Sequence, residues 1–335
     1  MRKLKPVVDG DWRLIGPNPD MRGLIPGAEE FQEQWEAGGK EKEHNAAVDH
    51  HFFRGSDGTY HLWGCIRNTV VGRVLYRWET DDIDAAPWRQ TGEIIRCDHD
   101  AGECINDWGG KEWLQSPYFI HVDGTYYMFF GGHNSDRRED GSEIPDDIQG
   151  EERHVRAACQ MCLMTSPDGR TWTRHRNAEG LSRLFAGPGE VRDPCLLGVG
   201  DEWVCYYAGF SNNDRTQHGF YARTSKDLVT WSDYKMIHQD LNRASGNWTT
   251  ECPHVVFRDG YYYLFRTENY YAKRTHVFRS EDPFDFGVGD ASDKFVCLFP
   301  AAAVEIYEIE GREYVTSSHD PKQGEFMARL KWVDD

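Results

Sequence analysis

The sequence has no apolar run that approaches the length of a membrane-spanning helix. Its first residues, MRKLKPVVDGDW, are basic but lack the apolar core of a secretory signal peptide. These absences predict a protein that has no membrane partner and works in the cytoplasm. Export stays open as the alternative.

Positive charge is also scarce. The chain has 38 Lys and Arg residues against 56 Asp and Glu residues, and its formal net charge is -18. Proteins that bind nucleic acid or anionic lipid surfaces do so mainly through Lys and Arg, so this balance argues against nucleic acid as a partner. Solubility alone would account for the acidity.

Cysteine is present without an ordered framework. The nine cysteines are an odd number, and Cys159 and Cys162 form a lone CxxC pair without the second pair or nearby histidine of a zinc site. Cys195, Cys205 and Cys252 lie inside apolar runs, as buried thiols do. The pattern predicts a reducing compartment and no metal or other cofactor in the chemistry, with an ion in a central channel left open.

The feature that organises the chain is a hairpin that recurs. Thr249–Arg266 reads TTECPHVVFRDGYYYLFR, in which an Asp-Gly pair separates an apolar run from an aromatic run. Asp and Gly both accept the positive φ of a tight hairpin turn, so the stretch predicts two antiparallel strands. The pattern occurs in four further stretches, most weakly in the last: Val48–Gly64, Gln115–Gly132, Arg192–Phe210 and Ala301–Ser318.

Each repeat predicts four short antiparallel strands. In the first repeat, Arg73–Thr80 and Trp88–Ile94 follow the hairpin as the third and fourth strands. Ser166–Trp172 and Ser225–Trp231 share a Ser and an Asp that can cap a turn, followed by a Trp that can pack between sheets. Five such units predict an all-β fold, a five-bladed β-propeller with a central funnel. The predicted blade starts are Asp49, Ser116, Asp193, Glu251 and Ala302.

Two segments lie outside this repeat. Residues 1–47 are predicted to be a lead-in that packs on a propeller of residues 48–335, with a short helix at Glu29–Gly38. Asn134–Arg153 is dense in Asp, Glu, Gly and Pro, which predicts a surface loop. We expect this loop beside the mouth of the funnel, where it could act as a lid.

Acidic residues head three of the five repeats. When the repeats are aligned on their hairpin turns, Asp49 and Glu251 share one offset and Asp193 lies one residue further along, so a bulge or a one-residue difference in the hairpin must reconcile them. These heads would face one end of the channel, where gathered carboxylates raise each other's proton affinity. Glycoside hydrolysis uses such a set: an acid protonates the leaving oxygen and a carboxylate attacks the anomeric carbon or activates water. A third carboxylate can stabilise the cationic transition state.

Four stretches resemble known glycoside hydrolases. VRDPCLL around Asp193 and TECPHVVF around Glu251 resemble the Arg-Asp-Pro and Glu-Cys-Pro motifs of family 32. GTYHLWG at Gly58–Gly64 resembles a strand of that family's first blade, and DGYYYLF at Asp259–Phe265 is similar to family 43. Both families are five-bladed propellers that act largely on furanosides or xylosides. The resemblance extends from about residue 48 to residue 318.

The resemblance implies a role for each acid. Glu251 would be the general acid, kept protonated near neutral pH, and Asp193 would stabilise the transition state. Asp49 would be the nucleophile of a retaining enzyme or the base of an inverting one, although VDHH stands where family 32 has Asn-Asp-Pro-Asn-Gly. A carboxyl separation of about 5–5.5 Å would indicate retention and about 6.5–9.5 Å inversion. The closer match to family 32 favours retention.

Six further residues are predicted to bind the substrate, with packing as the alternative for each. Arg192 could contact sugar hydroxyls or pair with an acid, and the others flank strand heads or follow the last inner strand. They are His50, Trp113, Gln115, Arg192, Trp248 and His319. His254, inside a strand, is predicted to be structural.

The sequence therefore predicts a glycoside hydrolase, most simply an exo-acting furanosidase on fructofuranosides or arabinofuranosides. Two alternatives stay open. A glycoside phosphorylase of the family 130 type would need a basic cluster for phosphate beside the acids, and a non-catalytic carbohydrate-binding propeller would keep the aromatic residues without the acids. The sugar, the linkage, exo or endo action and the oligomeric state are left open.

Overall fold

The computed structural model describes residues 2–38, 43–103, 112–134, 136–149, 152–153, 156–211, 217–243 and 249–335. These residues form strands grouped in five sheets, with little helix and a turn of 3-10 helix at His99–Ala101. The five sheets are the blades of a β-propeller, so the predicted fold class is confirmed. Within the described residues, no helix is both long and apolar enough to cross a bilayer.

Two elements precede the first blade. They are β1 (Leu4–Pro17) and α1 (Ala28–Ala37). The helix confirms the short helix predicted from the sequence. Its first turn carries Glu29 and Glu30, whose negative charges face the positive end of the helix dipole.

Blades one and two each have the predicted order of strands from the innermost outward. Blade one consists of β2 (Ala46–Arg54), β3 (Tyr60–Thr69), β4 (Gly72–Thr80) and β5 (Arg89–Ile95), with β6 (Glu112–Trp113) parallel to β4. Blade two consists of β7 (Gln115–Val122), β8 (Thr125–Asn134), β9 (Ala158–Ser166) and β10 (Thr173–Arg174), with β11 (Arg183–Ala186) also on β9.

Blades three and four repeat this order. Blade three consists of β12 (Arg192–Val199), β13 (Glu202–Ser211), β14 (Gln217–Ser225) and β15 (Lys235–Asp240). Blade four consists of β16 (Glu251–Arg258), β17 (Tyr261–Asn269), β18 (Arg274–Ser280) and β20 (Phe295–Phe299). The short strand β19 (Val288–Gly289) pairs in parallel with β15.

Blade five takes its outermost strand from the beginning of the chain. Its remaining strands are β21 (Glu305–Ile309), β22 (Arg312–Asp320) and β23 (Gly324–Asp334), and the sheet order is β1-β23-β22-β21. The N–H of Asp335 donates to the carbonyl of Lys3 at 2.9 Å. The N–H of Asn18 donates to the carbonyl of Gln323, also at 2.9 Å. The sequence analysis did not identify β1 as a strand.

The chain divides into two compact units, which are described separately. The blade one–two unit consists of Leu14–Ala186 and Asp320–Glu325. The blade three–five unit consists of Met1–Arg13, Gly187–His319 and Phe326–Asp335. In the first unit the innermost strands β2 and β7 are neighbours, and in the second β12 lies beside β16 and β16 beside β21.

The innermost strands share one backbone feature at their heads. Each head contains a non-glycine residue in the left-handed region, and in the first four blades the ladder register shifts there, which marks a β-bulge. The residues, with φ between 47° and 56°, are Asp49, Ser116, Asp193, Cys252 and Ala303. The bulge therefore defines five equivalent positions.

This equivalence changes the alignment of the acids. Asp49 occupies the same position as Asp193, whereas Glu251 lies one residue before its blade's left-handed residue, Cys252. The hairpin alignment placed Asp49 level with Glu251, and the expected difference between the hairpins is what changes this alignment. The cause is the first hairpin, in which five residues, 55–59, separate the two strands, while the other four hairpins have two-residue turns.

Neighbouring innermost strands are joined by a side chain two residues after the bulge. This side chain accepts a hydrogen bond from a backbone N–H of the next blade, which would otherwise be a buried donor. The acceptors are His51 Nδ1 for Phe119 (3.4 Å), Cys195 Sγ for Val255 (3.3 Å) and His254 Nε2 for Ile306 (3.1 Å). His254 also pairs through Nδ1 with Glu305 at 2.7 Å, so its contacts are structural, as predicted.

The two turns with matching sequences are capped as predicted. Ser166 Oγ accepts the N–H of Gly169 at 2.8 Å, and Ser225 Oγ accepts that of Leu228 at 2.8 Å. Asp168 and Asp227 accept the backbone N–H groups of Thr171 and Thr230, and these bonds hold the pKa of each aspartate at about 2. The turns are thus stabilised locally.

The loop between β8 and β9 is held by its own contacts. The guanidinium of Arg153, which is 5% exposed, donates to the carbonyls of Pro145 and Ile148 at 3.1 Å and to Asp136 Oδ1 at 2.9 Å. Ile144, a residue of this loop, is buried. Its predicted role as a lid stays a prediction.

Candidate active site

Arg192 brings three carboxylates together in the blade three–five unit. Its Nη1 lies 2.5 Å from Glu190 Oε2, its Nη2 lies 3.1 Å from Glu251 Oε1, and its Nε lies 3.3 Å from Asp193 Oδ2. All four side chains are at most 13% exposed. Arg192, Asp193 and Glu251, all predicted from the sequence, therefore form one cluster.

The guanidinium stays charged in this setting. Burial alone would lower the pKa of Arg192, but the negative charges of Glu190, Asp193 and Glu251 outweigh burial and raise it well above its ordinary value. Arg192 thus compensates part of the negative charge of the three acids. Within this unit, the positive charge that holds the acids together comes from the chain itself.

Asp193 is oriented by the backbone of the next blade. Its Oδ2 accepts the N–H of Cys252 at 3.0 Å, and the same oxygen faces Arg192 Nε. Asp193 and Cys252 are both left-handed bulge residues, so the carboxylate of one strand head caps the head of the neighbouring strand. A backbone N–H and a guanidinium both favour an ionised carboxylate.

Glu251 begins β16 and pairs with Thr267 of β17. Its side chain is 13% exposed, which leaves one edge open to a ligand. Two opposing influences act on its proton: the guanidinium of Arg192 favours the ionised form, whereas Asp193 and Glu190 across that guanidinium favour the protonated form. The proton expected on Glu251 stays a prediction.

Glu190 was not selected from the sequence. It lies in the turn before β12, two residues ahead of Arg192, so it heads no strand in the repeat alignment. The available signal was the run Glu-Val-Arg-Asp, in which acids flank an arginine on both sides. Its side chain reaches Arg192 because the turn folds back toward the strand head.

Asp49 lies at the bulge of β2 in the blade one–two unit. Its neighbours in sequence pair with β3, Val48 with Cys65 and His50 with Gly64, and Asp49 itself is half-buried. Burial and the charge of Asp49 raise the pKa of the Cys65 thiol to about 12, against the opposing effect of Arg73. Asp49 is thus the fourth residue of β2, at the bulge, and its predicted role in the chemistry stays a prediction.

His50 is held inside the protein. Its Nδ1 lies 2.7 Å from Glu325 Oε2, and both side chains have 0% exposure. Glu325 belongs to β23, so this contact joins the inner strand of blade one to a strand of blade five. In this structure His50 offers no exposed surface to a sugar, and its predicted contact with substrate stays a prediction.

Trp113 and Gln115 are gathered around Arg73. Arg73 Nη1 donates a short hydrogen bond to Gln115 Oε1, and its guanidinium lies 4.1 Å from the centre of the Trp113 ring. The ring of His133 packs 5.2 Å from Trp113, and His133 Nε2 lies 3.2 Å from Cys159 Sγ. The two predicted residues thus share one polar and aromatic cluster in the blade one–two unit, which includes His133 and Cys159.

His319 and Trp248 are the last predicted contacts. His319 is 4% exposed and packs between Trp12 and Phe326, with ring centres at 5.1 and 4.4 Å. Its Nδ1 lies 3.0 Å from Ser317 Oγ. These contacts are those of a packed residue in blade five. Trp248 lies outside the residues that the structure describes.

Comparison with known proteins finds similar solved structures but no match in sequence. No protein-family model matches the chain, and no curated protein matches it in sequence. An exo-1,5-α-L-arabinanase from a bovine ruminal metagenomic library matches with a TM-score of 0.56 at 17% identity, over 86% of this chain and 94% of that one.

Two further solved structures give the same picture. The xylotriose complex of a family 43 enzyme from Xanthomonas citri matches with a TM-score of 0.54 at 14% identity, over 86% of this chain and 88% of that one. A family 32 β-fructofuranosidase from Bombyx mori matches with a TM-score of 0.55 at 12% identity, over 92% and 67% of the two chains. Over most of its length, the chain is therefore similar in fold to propeller enzymes of glycoside hydrolase families 43 and 32.

Proposed function

We propose that this protein is a glycoside hydrolase, and most simply an exo-acting furanosidase. The observation that carries the proposal is the placement of the acids at strand heads. Asp193 and Glu251 meet around Arg192, and Asp49 occupies the equivalent bulge of blade one. Carboxylates at or next to the bulges of a repeat, two of them held around one arginine, are typical of a site that uses them.

Glu251 is proposed as the general acid. It lies at the head of β16 with one edge exposed, so it can reach the oxygen of a leaving group. Protonation of that oxygen in the transition state requires a carboxylic acid that holds its proton near the working pH. The neighbouring carboxylates supply the charge that favours such a proton.

Asp49 and Asp193 are proposed to act as carboxylates. Asp49 would attack the anomeric carbon in a retaining reaction or activate water in an inverting one. Asp193, held by Arg192 and by the N–H of Cys252, would hydrogen-bond sugar hydroxyls and stabilise the oxocarbenium-like transition state. The roles need no metal ion, because carboxyl groups supply both proton and nucleophile.

The substrate class is proposed from the structural neighbours together with the site. An α-L-arabinofuranosidase from Lactobacillus brevis and a β-xylosidase match in fold with TM-scores of 0.55 and 0.52. With the arabinanase and the fructofuranosidase, they are enzymes that act on pentoses or on furanose rings. Arabinofuranosides and fructofuranosides are the first substrates to test.

A phosphorylase is supported less well by the charges. Phosphorolysis needs cationic side chains that can receive phosphate beside the acids. In the described part of the blade three–five cluster, Arg192 already faces three carboxylates. An incoming phosphate would add negative charge to a group of acids, which is unfavourable.

The experiment is a panel of aryl furanosides and pyranosides assayed with and without inorganic phosphate. The proposal predicts turnover of at least one furanoside at a rate that does not depend on phosphate. Phosphate-dependent turnover would support the phosphorylase, and binding without turnover across the panel would support a non-catalytic propeller. The anomer first released, measured by proton NMR, distinguishes retention from inversion.

We also propose that the protein works in a reducing compartment such as the cytoplasm. The eight described cysteines are thiols rather than disulfides, and most are buried in the blades. Mass spectrometry of the protein taken from its cells, with thiols alkylated before lysis, would test this. Disulfide-linked cysteines would contradict it.

A further inference from the structure

Glu190 contacts the same guanidinium as the proposed general acid. Arg192 Nη1 lies 2.5 Å from Glu190 Oε2, and Arg192 Nη2 lies 3.1 Å from Glu251 Oε1. The two glutamate side chains are 12% and 13% exposed, so little water screens their charges from each other. Glu190 and Glu251 therefore share one positive charge.

We propose that Glu190 is a positioning residue that keeps Glu251 protonated, by holding the guanidinium of Arg192 and by repelling a negative charge on Glu251. This inference rests on the proposed function, because it concerns the proton that Glu251 would donate. Removing the charge of Glu190 has two effects on Glu251. It ends a like-charge repulsion, and it releases Arg192 toward Glu251, and both effects favour the ionised form.

The geometry of the guanidinium explains why the charge is divided. Three nitrogens of a rigid planar group each face a different carboxylate, so Arg192 cannot turn toward Glu251 without losing another contact. Attraction between charges falls with distance, and the shortest contact is the one to Glu190. Glu251 thus receives only part of the stabilisation that an exclusive arginine partner would provide.

The charges of the cluster also favour one proton. With Glu190, Asp193 and Glu251 all ionised, these three side chains and Arg192 together carry -2. Asp193 is held ionised by Arg192 and the N–H of Cys252, and Glu190 by its close contact with Arg192. A single proton on Glu251 reduces the charge of these four side chains to -1.

The backbone holds Glu190 in place. Gly189 has φ +63°, and a Cβ on it would lie 2.1 Å from the carbonyl oxygen of Phe210, so only glycine fits there. The N–H of Phe210 donates to the carbonyl of Pro188 at 3.2 Å. These contacts fix the turn before β12 against β13, and Glu190 is presented to Arg192 from a rigid segment.

The test compares pH profiles of Glu190→Gln and the unaltered enzyme on a glycoside with a poor leaving group. The basic limb of kcat/KM reports loss of the proton from the general acid, and we expect Glu190→Gln to move it to lower pH by about one unit. Glu190→Asp keeps the charge but shortens the reach, so it should move the limb the same way by less. Glu281→Gln removes an exposed acid of the same unit and should leave the profile unchanged.

A direct titration separates this inference from the proposed function. Carboxyl carbons labelled with carbon-13 are followed by NMR against pH, and the Glu251 signal is the one missing in Glu251→Gln. A lower titration midpoint for Glu251 in Glu190→Gln supports the inference even if no glycoside is turned over. An unchanged or raised midpoint for Glu251 in folded Glu190→Gln overturns the inference. It is also overturned if Glu190→Gln lowers the melting temperature and changes neither the midpoint nor the pH profile. If Glu190→Gln does not fold, the same comparison is made with Glu190→Asp.

Discussion

The heads of the innermost strands are alike in backbone and different in charge. Blades one, three and four carry an acid at the bulge or next to it, whereas blades two and five carry Gln115-Ser116 and Ala302-Ala303. All five have a left-handed residue at the bulge. Because the neutral heads form the same geometry, the acids are not required to build it.

The comparison is sharpest for one backbone group. In blade five the N–H of Ala303 donates to the hydroxyl of Thr267 at 2.8 Å, and in blade four the N–H of Cys252 donates to Asp193 at 3.0 Å. In both cases a side chain of the preceding blade accepts the N–H of the bulge residue. The acceptor is the neutral hydroxyl of Thr267 in one case and the buried carboxylate of Asp193 in the other. The carboxylate brings a charge that the structural task does not need, which supports the role proposed for Asp193.

The largest expected effect is at the acidic head of blade one. Asp49→Asn should reduce turnover by at least about 10³-fold on every glycoside, because both proposed mechanisms need its negative charge. Ser116→Ala, at the equivalent bulge of blade two, should change turnover by less than about threefold. Steady-state kinetics on an activated aryl furanoside measures both. An active Asp49→Asn enzyme would remove the distinction between the two heads.

At blade four the loss should depend on the leaving group. Glu251→Gln should slow substrates with poor leaving groups by about 10²–10⁴-fold, because these need a proton on the departing oxygen. Activated aryl glycosides leave without that proton and should lose far less. The measurement is the slope of log kcat against the pKa of the leaving phenol. Equal losses across the series would exclude Glu251 as the acid.

Asp193→Asn should separate the structural task of this head from its chemical one. The amide keeps an acceptor for the N–H of Cys252, so the protein should fold with a melting temperature near that of the unaltered chain. The lost charge should lower kcat by about 10²–10³-fold, since it would no longer stabilise a cationic transition state. Circular dichroism and kinetics are measured on one preparation. Full activity would show that the carboxylate serves the backbone alone.

The smallest effect is expected at an acid far from any strand head. Asp227 caps the turn before Trp231, and hydrogen bonds from Thr230 and Val229 lower its pKa to about 2. A lowered folded-state pKa gives stability that is present above about pH 4 and lost as pH falls toward 2. Asp227→Asn should cost less than about 1 kcal/mol at pH 7, because the turn is exposed.

Denaturant unfolding of Asp227→Asn at several pH values measures this difference. The two proteins should converge in stability between pH 4 and 2, and kcat/KM should be unchanged. A loss of activity in Asp227→Asn would mean that acids outside the strand heads also contribute to the chemistry.

Local patterns made most of the fold predictable. Asp-Gly turns between apolar runs, as at Asp259-Gly260, need only neighbouring residues to form, so the hairpins and the blade number follow from the sequence. Strand β1 was missed because its partner β23 lies about 300 residues away, and nothing within LKPVVDGDWRLIGP indicates a partner. Pairing between strands that are far apart in sequence is therefore the feature of this fold that local sequence patterns do not predict.

The same distinction applies to the site. Asp193, Glu251 and Arg192 were found because they stand at strand heads, which the repeat locates. Glu190 was missed because its importance lies in an ionic contact made by a folded turn. The sequence predicted that a bulge or a hairpin difference reconciles the offsets of the acids, and the bulge geometry shows that the longer first hairpin shifted Asp49.

The pairing of β1 with β23 has a consequence for how the protein is made. During synthesis β1 leaves the ribosome about 300 residues before its partner β23 is translated. At about 5–20 residues per second, a strand made first waits at least about 15 seconds for β23. An unpaired strand edge can pair with other chains. A chaperone that binds nascent chains, or slow initiation of translation, would therefore limit this association most at residues 4–17. Ribosome-bound chains stalled before residue 324 should therefore expose residues 4–17 to protease, and release of the full chain should protect them.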